Sequence, residues 1–288
     1  MTNFKRKESS IYNIRVFHNW VKNETYKTAA QEIRTASDDE INILELATGK
    51  AGDLYKWMGI NAQSVLGIDL RKESIFGKNG AQHRYNNMVK RAKYDKTLKV
   101  PKCNFYVFDI SKPSNFEAIK NIMKNKKFNL VSCQFAIHYF FKSEATLDIF
   151  MRLVDHGIKP GGKLIGTTMN GEKIKGLFSE NDKVQKNIFN AKKEKFNDSP
   201  YGNEVIIQLG KKGEDHYFAE ESSIEYTVEP NDLINKCAEY GLVEPKILLF
   251  EDMYKKYESM DPEHKLTEDD KEFSFLNFAF LFTKQYNT

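Results

Sequence analysis

Short apolar segments alternate with segments of helical spacing from residue 11 to residue 168 of this chain. The pattern predicts a first helix over residues 11–22 and further helices between successive strands. The expected strands are 41–46, 64–68, 104–108, 128–133 and 163–168, and the expected intervening helices are 52–58, 116–124 and 145–157. Alternating strands and helices form βαβ units in a mostly parallel sheet, which binds ligands beyond the carboxyl ends of its strands.

The last third of the chain has a different pattern. Residues 231–240 predict a helix, and residues 245–250 and 275–283 predict two strands joined by a long polar segment. This order favours an antiparallel edge on the sheet, which gives an α/β fold with seven strands and helices on both faces. The charged segments 171–202 and 252–270 interrupt the pattern and are interpreted as insertions or mobile lids of one domain.

The overall charge is only mildly basic. A formal net charge of +4 and a pI near 8.6 argue against a protein dedicated to coating DNA. Lysine-rich clusters at residues 5–7, 90–102 and 192–195 could still bind a polyanion, although such charge runs are usually solvated faces.

Localisation and metal content follow from what the sequence lacks. No apolar run is long enough to cross a membrane, and the polar start does not resemble a secretory signal. We therefore expect an intracellular protein without membrane contact, in the cytoplasm, the nucleus or a virion. Cys103, Cys133 and Cys237 lack metal-ligand spacing and are too few for a disulfide framework, so reduced thiols and no metal are expected.

Residues 43–53, ILELATGKAGD, change from a buried strand pattern to small residues at the start of a helix. Small side chains around Gly49 allow a ligand to approach the backbone closely. The free N–H groups of a helix start favour an anionic group such as a carboxylate. Taken alone, a turn of this kind also occurs where only tight packing is required.

Acidic residues end the next two predicted strands. Asp69 follows strand 64–68, where a carboxylate accepts hydrogen bonds from ribose hydroxyls, although it could instead cap the next helix. Asp109 follows strand 104–108 and could accept a hydrogen bond from an adenine amino group. Residues 47–52, ATGKAG, do not match Gly-x-Gly-x-x-Gly, and the sequence has no Gly-Lys-Ser/Thr phosphate loop. The pattern favours a nucleoside ligand and argues against nicotinamide chemistry and ATP hydrolysis.

Residues 132–141, SCQFAIHYFF, resemble the central motif of mRNA cap guanine-N7 methyltransferases. Residues 15–22, RVFHNWVK, are similar to the N-terminal helix of that family, and residues 166–171, GTTMNG, to its next strand end. Met169 and Gly171 look most like the poxvirus and large DNA virus members. The resemblance implies a Rossmann-like class I methyltransferase fold that transfers a methyl group from S-adenosylmethionine to N7 of the guanine cap on RNA.

The resemblance also implies roles for individual positions. The residues that match cofactor-binding positions are Lys22, Gly49, Asp53, Asp69, Asp109 and Gln134. The residues that match positions around the capped guanosine are Phe135, His138, Tyr139, Glu225 and Asn277. Lys50 and Arg84 match positions whose positive charge faces the cap phosphates, which suits a triphosphate bridge.

Several positions depart from the family pattern. Glu45 stands where the family has Asp at the end of the first strand, and Ala47 and Ala51 replace glycines of the loop. His18 replaces Asn, and Asn277 replaces the Tyr that cellular members place against the cap. These changes predict a somewhat different loop geometry and put the carboxyl-terminal cap contact in question.

Each site residue also has a plainer interpretation. Without their neighbours, Phe135 and Tyr139 would be core residues, His138 a structural histidine and Glu225 a solvent-facing strand residue.

Guanine N7 has an exposed lone pair, so catalysis is expected from alignment by Glu225, His138 and Tyr139 without a general base. Two alternatives stay open: a methyltransferase for a small molecule or a protein, and a non-catalytic cap- or RNA-binding module. The expected partner is 5′-capped RNA, with other capping-enzyme domains or a stimulatory subunit as further candidates.

Overall fold

The computed structural model of the chain describes residues 9–210 and 223–286. The strands of its larger sheet are β1 (Asn42–Leu46), β2 (Ser64–Asp69), β3 (Lys102–Val107), β4 (Phe128–Gln134), β5 (Ile158–Met169), β10 (Leu242–Leu249) and β11 (Asn277–Lys284). They lie in the order β3-β2-β1-β4-β5-β11-β10. The first five strands of this order are parallel, and β11 and β10 add an antiparallel edge. The predicted sheet is therefore confirmed.

Helices cover both faces of this sheet, as predicted. Side chains alternate along β1, so that Leu44 packs with Phe150 on one face, whereas Ile43 packs with Tyr26 and Trp57 on the other. The helices are α1 (Tyr12–Ala36), α2 (Leu54–Gly59), α3 (Lys72–Phe76), α4 (Ala81–Tyr94), α5 (Pro113–Met123), α6 (Glu144–Gly157), α7 (Gly171–Gly176), α8 (Pro230–Glu239), α9 (Phe250–Met260) and α10 (Glu268–Ser274), with 3₁₀ turns at Ile137–Lys142 and Pro262–His264.

A second, four-stranded antiparallel sheet was not expected from the sequence. Its strands are β6 (Lys183–Gln185), β7 (Phe189–Lys195), β8 (Glu204–Leu209) and β9 (Ser223–Tyr226). Phe189 and Ile207 from this sheet share an apolar cluster with Ile11 and Ile14 at the start of α1. The two charged segments thus contain regular elements: 171–202 includes α7, β6 and β7, and 252–270 includes most of α9. Their organisation with the rest of the chain as one domain stays a prediction.

The strand order reverses between β1 and β4, which is where ligands bind in sheets of this kind. The 3₁₀ turn after β4 is held in place by the start of α6. There, the Ser143 hydroxyl accepts a hydrogen bond from the Thr146 N–H, and the Thr146 hydroxyl accepts one from the Ser143 N–H. No helix within residues 9–210 and 223–286 combines the length and apolar composition that a bilayer crossing requires.

Candidate functional site

The loop between β1 and α2 has an uncommon backbone. Ala47, Gly49 and Ala51 have φ angles of 58°, 54° and 52°, in the left-handed region that residues other than glycine rarely adopt. Backbone strain of this kind concentrates at ligand sites. A Cβ atom at Gly49 would have no heavy atom within 4 Å, so the loop faces open space there. Ala47 and Ala51, which replace glycines of the family, thus have the left-handed backbone that glycine adopts most readily.

Asp69 connects this loop to the end of β2. Its Oδ2 accepts a hydrogen bond from the Gly49 N–H at 2.7 Å, and its Oδ1 accepts one from the Arg71 N–H at 2.9 Å. Asp69 makes no side-chain cap for α3, whose N-terminal cap is Arg71. Each carboxylate oxygen keeps acceptor capacity, because an ionised carboxylate has about four lone-pair sites. Asp69 can therefore still accept hydrogen bonds from two ribose hydroxyls.

Asp109 and Gln134 bring polar groups to the ends of β3 and β4. Asp109 Oδ1 accepts hydrogen bonds from the N–H and the hydroxyl of Ser111, at 3.0 and 2.6 Å. Gln134 donates to the Ser132 hydroxyl and accepts from the Thr167 hydroxyl, each at 3.1 Å. The structure thus places both predicted cofactor contacts at the same edge of the sheet as the loop after β1. Gln134 is fixed by its neighbours, whereas Asp109 Oδ2 has acceptor capacity left.

A buried charged cluster lies at the start of α2. Lys22 Nζ and Lys56 Nζ lie 2.7 and 2.9 Å from the same oxygen of Asp53. Burial would raise the pKa of Asp53, but the charges of Lys22 and Lys56 lower it below its ordinary value. For the nearby Glu45, burial and the charge of Asp53 raise the pKa well above the usual range. Two ammonium groups thus share one oxygen of Asp53, and their positive charge favours binding of an anionic group such as an amino-acid carboxylate.

Glu45 is held by a hydrogen-bond network that the sequence did not reveal. The Tyr26 hydroxyl donates to Glu45 Oε2 at 2.6 Å, and the Ser132 hydroxyl donates to Oε1 at 3.2 Å. The indole N–H of Trp57 donates to the Tyr26 hydroxyl at 3.2 Å. These side chains come from α1, α2 and β4, so the network ties the tips of β1 and β4 to the helices beside them.

Replacing Glu45 by glutamine should flatten the pH dependence of stability. Because burial raises the pKa of Glu45 in the folded chain, the folded state retains a proton that the unfolded state releases. The free energy of unfolding should therefore fall as the pH rises from the unfolded pKa towards the folded one, by up to about 1.4 kcal/mol per pH unit. Glutamine releases no proton, so Glu45→Gln should show a smaller decrease in thermal denaturation experiments. The exposed substitution Glu117→Gln should keep the wild-type slope, and a wild-type slope in Glu45→Gln would contradict this interpretation.

A second cluster joins the 3₁₀ turn after β4 to strand β9. Glu225 is fully buried; its Oε2 pairs with His138 Nε2, and its Oε1 accepts hydrogen bonds from the hydroxyls of Ser223 and, at 3.4 Å, Tyr139. Burial alone would raise the pKa of Glu225, but the charge of His138 and these hydrogen bonds lower it below its usual value. Nδ1 of His138 is buried and has no hydrogen-bond partner within the described part of the chain. The cluster therefore presents a fixed carboxylate beside an unused imidazole nitrogen.

Phe135 lies between the two clusters, directly after Gln134. Its φ of 51° is left-handed, which turns the chain sharply at the end of β4. Its ring stacks on that of His18, with centroids 5.3 Å apart and an interplanar angle of 16°. His18 Nε2 lies 3.1 Å from the Ser274 hydroxyl, and burial lowers the pKa of His18 to about 3, so the imidazole is neutral. His18, which replaces the asparagine of the family, thus packs against the Phe135 ring and supports it.

Three predicted substrate contacts lie outside these clusters. Lys50 is exposed at the tip of the loop after β1. Arg84 lies in the first turn of α4, and its Nε donates to the Asn79 carbonyl at 3.0 Å. Asn277 is buried, and its amide donates to two carbonyls near the end of α10 at 3.2 and 3.0 Å. The cap contacts of these three residues stay predictions.

The two clusters are linked along the chain, because Gln134 donates to the Ser132 hydroxyl that contacts Glu45, and His138 of the second cluster follows Gln134 by four residues. Sequence reasoning missed Tyr26, Lys56 and Ser223. Lys56 could have been found, since it follows Asp53 by one helical turn. Ser223 precedes Glu225 by two residues and so shares its face of a strand. Tyr26 has no such local signal.

A family model for the mRNA (guanine-N(7))-methyltransferase domain matches residues 1–274 of the chain. The mRNA cap guanine-N(7) methyltransferase of Caenorhabditis elegans is 36% identical over 169 residues, which are 59% of this chain and 42% of that protein. The protein of the same name from Schizosaccharomyces pombe is 33% identical over 170 residues, with the same two shares. The probable mRNA-capping enzyme of Acanthamoeba polyphaga mimivirus is 25% identical over 215 residues, 66% of this chain and 17% of that protein. The chain spans less than half the length of these curated relatives.

Solved structures of methyltransferases share the fold. A S-adenosylmethionine-dependent methyltransferase from Clostridium acetobutylicum superposes with a TM-score of 0.54 at 16% identity, covering 91% of this chain and 92% of that one. The CcbJ methyltransferase of Streptomyces caelestis gives a TM-score of 0.53 at 12% identity, covering 91% and 90%. At these identities the similarity shows the fold alone, and it confirms the expected Rossmann-like methyltransferase architecture.

Proposed function

The chain belongs to the mRNA (guanine-N7)-methyltransferase family, and on that premise we propose that it methylates N7 of the guanine cap of RNA, with S-adenosylmethionine as the methyl donor. The substrate is then 5′-capped RNA. Earlier capping reactions would be supplied by other capping-enzyme domains or proteins, and a stimulatory subunit could join them.

One observation carries this function: a buried, ionised carboxylate, Glu225, is held by His138 and Tyr139 of the 3₁₀ turn that follows β4. Guanine presents N1–H and an exocyclic amine along one edge, and a single carboxylate accepts both donors. Glu225 is held for this by His138 and Tyr139. Phe135 offers a ring on which a purine can stack, and the unused Nδ1 of His138 leaves hydrogen-bonding capacity for the substrate.

The loop after β1 and its neighbours fit S-adenosylmethionine. The positive charge around Lys22 suits its amino-acid carboxylate, and Asp69 has acceptor capacity left for two ribose hydroxyls. Asp109 Oδ2 lies 3.7 Å from Lys112 Nζ and still has lone-pair capacity to accept a hydrogen bond from the adenine amino group. The open space beside Gly49 allows close approach to the backbone, and the buried Thr48 hydroxyl has no partner among the described residues.

The residues of the chain act by positioning. When bound, S-adenosylmethionine supplies a methyl group on a sulfonium whose leaving group is neutral. No side chain needs to remove a proton, because guanine N7 has a free lone pair. Glu225, His138 and Tyr139 would bind and orient the purine, and the carboxylate of Glu225 would offset the positive charge that the purine gains. Lys50 and Arg84 would face the cap phosphates.

Methylation of capped RNA tests this function. Purified protein incubated with methyl-labelled S-adenosylmethionine should label GpppA-capped RNA, because this substrate combines the guanine edge that Glu225 reads with the triphosphate bridge that Lys50 and Arg84 would face. The same RNA with a 5′-triphosphate or an ApppA cap should stay unlabelled, as should a panel of protein and small-molecule acceptors. Equal labelling of ApppA-capped RNA, labelling of another acceptor instead, or binding of cofactor and cap without transfer would each contradict the proposed activity.

A further inference from the structure

Helix α4 and the segment that follows it form the most basic surface stretch outside the site. Residues 81–102 contain seven lysines and arginines and a single acid, Asp95. The adjoining helix α3 contains one acid, Glu73. The seven cations are Arg84, Lys90, Arg91, Lys93, Lys96, Lys99 and Lys102.

The lysines of this stretch differ from those on other helices. Several exposed lysines on other helices pair with an acid three residues away, as in Lys27–Glu24 and Lys255–Asp252. Lys90, Lys93, Lys96 and Lys99 are exposed, and within residues 9–210 and 223–286 none of them makes an ion pair. Their charge is therefore not neutralised by the described part of the chain.

Aromatic rings lie among these cations. Tyr94 is 92% exposed and follows Arg91 by three residues, so both lie on one side of α4. Tyr55, in the first turn of α2, is 61% exposed, and its hydroxyl accepts a hydrogen bond from Arg91 at 3.1 Å. Lys90 precedes Tyr94 by four residues and so lies on the same side of α4. Exposed rings and exposed cations thus lie close together on helices α2 and α4.

This surface, which we call the α4 track and define as Tyr55, Lys90, Arg91, Lys93 and Tyr94, starts near the candidate site. Tyr55 follows Asp53 of the candidate site by two residues and contacts Arg91 of α4, and Arg84 in the first turn of α4 is a predicted contact for the cap phosphates. From Arg84 the helix continues for ten residues to Tyr94, a rise of about 15 Å. A chain that leaves the cap phosphates can therefore continue along α4.

We infer that the α4 track binds the single-stranded RNA that follows the cap, with the lysines and Arg91 contacting phosphates and Tyr55 and Tyr94 stacking on bases. This inference rests on the proposed function. Unpaired cations attract the phosphate backbone of any nucleic acid, but exposed aromatic rings favour a single strand, whose bases are free to stack. A purely acidic protein partner would use the cations and leave the rings without a role.

Binding of uncapped RNA tests the track independently of methyl transfer. Fluorescence anisotropy with a labelled single strand of about ten nucleotides would be measured over a range of salt concentrations. In Lys90→Ala/Lys93→Ala, affinity should fall about tenfold, and the slope of log K against log salt should shrink by about 1.4, since each phosphate contact on a single strand contributes about 0.7. Tyr94→Ala should weaken binding about fivefold or more, whereas Tyr94→Phe, which keeps the ring, should bind as the wild type does.

Lys27→Ala/Lys255→Ala is the matched control, because it also removes two exposed helical lysines, each of them paired with an acid. An unchanged salt slope in Lys90→Ala/Lys93→Ala, or an equal loss in the control pair, would overturn the track. Turnover of the short cap analogue GpppA should be the same in the track variants and the wild type. If the wild type methylates no capped substrate, the proposed function fails, and the anisotropy still decides whether RNA binds here.

Discussion

Glu225→Gln should lower kcat/KM for capped RNA about 100-fold, or about 2.7 kcal/mol, while the dissociation constant for S-adenosylmethionine stays within about twofold of the wild-type value. The carboxylate accepts two donors from the guanine edge, whereas an amide offers one acceptor and turns its own N–H groups towards the remaining donor. The substitution also removes the negative charge that offsets charge developing on the purine.

Glutamine has almost the shape of glutamate, so the variant tests charge and hydrogen bonding with little change in packing. The pKa of Glu225 is lowered despite its burial, which keeps the carboxylate ionised near neutral pH in the wild type. His138 and Tyr139 remain as neighbours in the variant. The predicted loss therefore comes from the cap side of the site.

Steady-state methylation of GpppA-capped RNA and calorimetric titration of the cofactor separate the two effects. Glu204→Gln, on the adjacent strand β8, is the matched control and should leave both measurements unchanged, since its backbone pairs with Tyr226 and not with the cluster. Wild-type turnover in Glu225→Gln would remove this carboxylate from guanine recognition. An equal loss of affinity for S-adenosylmethionine would show that Glu225 contributes to cofactor binding and not to guanine recognition.

Asp69→Asn should raise the dissociation constant for S-adenosylmethionine about 30-fold, or about 2 kcal/mol, because hydrogen bonds to a charged acceptor contribute about 1.5–3 kcal/mol. In the wild type the two oxygens of Asp69 accept from the N–H groups of Gly49 and Arg71. An asparagine has one carbonyl oxygen and cannot accept both, so the loop after β1 also loses a contact.

Asp95→Asn is the control for this change. Asp95 likewise accepts a hydrogen bond from the N–H two residues later, at 3.0 Å from Thr97, but it is exposed and outside the candidate site. Calorimetry should give it the wild-type dissociation constant. The same wild-type constant in Asp69→Asn would show that this acid does not hold the ribose.

The larger sheet could be predicted because its strands are buried and therefore apolar. Strand β2 begins at Ser64 as predicted, and β4 begins at Phe128. Strand β5 begins at Ile158, earlier than predicted. Its first residues, IKPGG, were not predicted as strand because they include the proline and glycines that normally indicate a loop. Strand β7 was not predicted, because most of its residues are charged or polar and only Phe189 and Ala191 are buried.

The site was predictable only in part, for physical reasons that differ from residue to residue. Asp69 follows a strand, so its position at the sheet edge follows from the topology. The pairing of His138 with Glu225 depends on the second sheet, and no local pattern links residues so far apart in the chain. His138 and Glu225 were predicted as site residues only through the resemblance to the family. The left-handed backbone of Phe135 and its stacking on His18 have no signal in the sequence.

Identification of the methylated nucleoside tests the central claim most directly, because the two clusters are proposed to align the methyl group with one atom. GpppA-capped RNA from the labelled reaction would be digested with nuclease, and the labelled nucleoside identified by chromatography and mass spectrometry. We expect all of the label in 7-methylguanosine. Label in a ribose 2′-O-methyl group, in N6-methyladenosine or in N2-methylguanosine would contradict the proposed alignment.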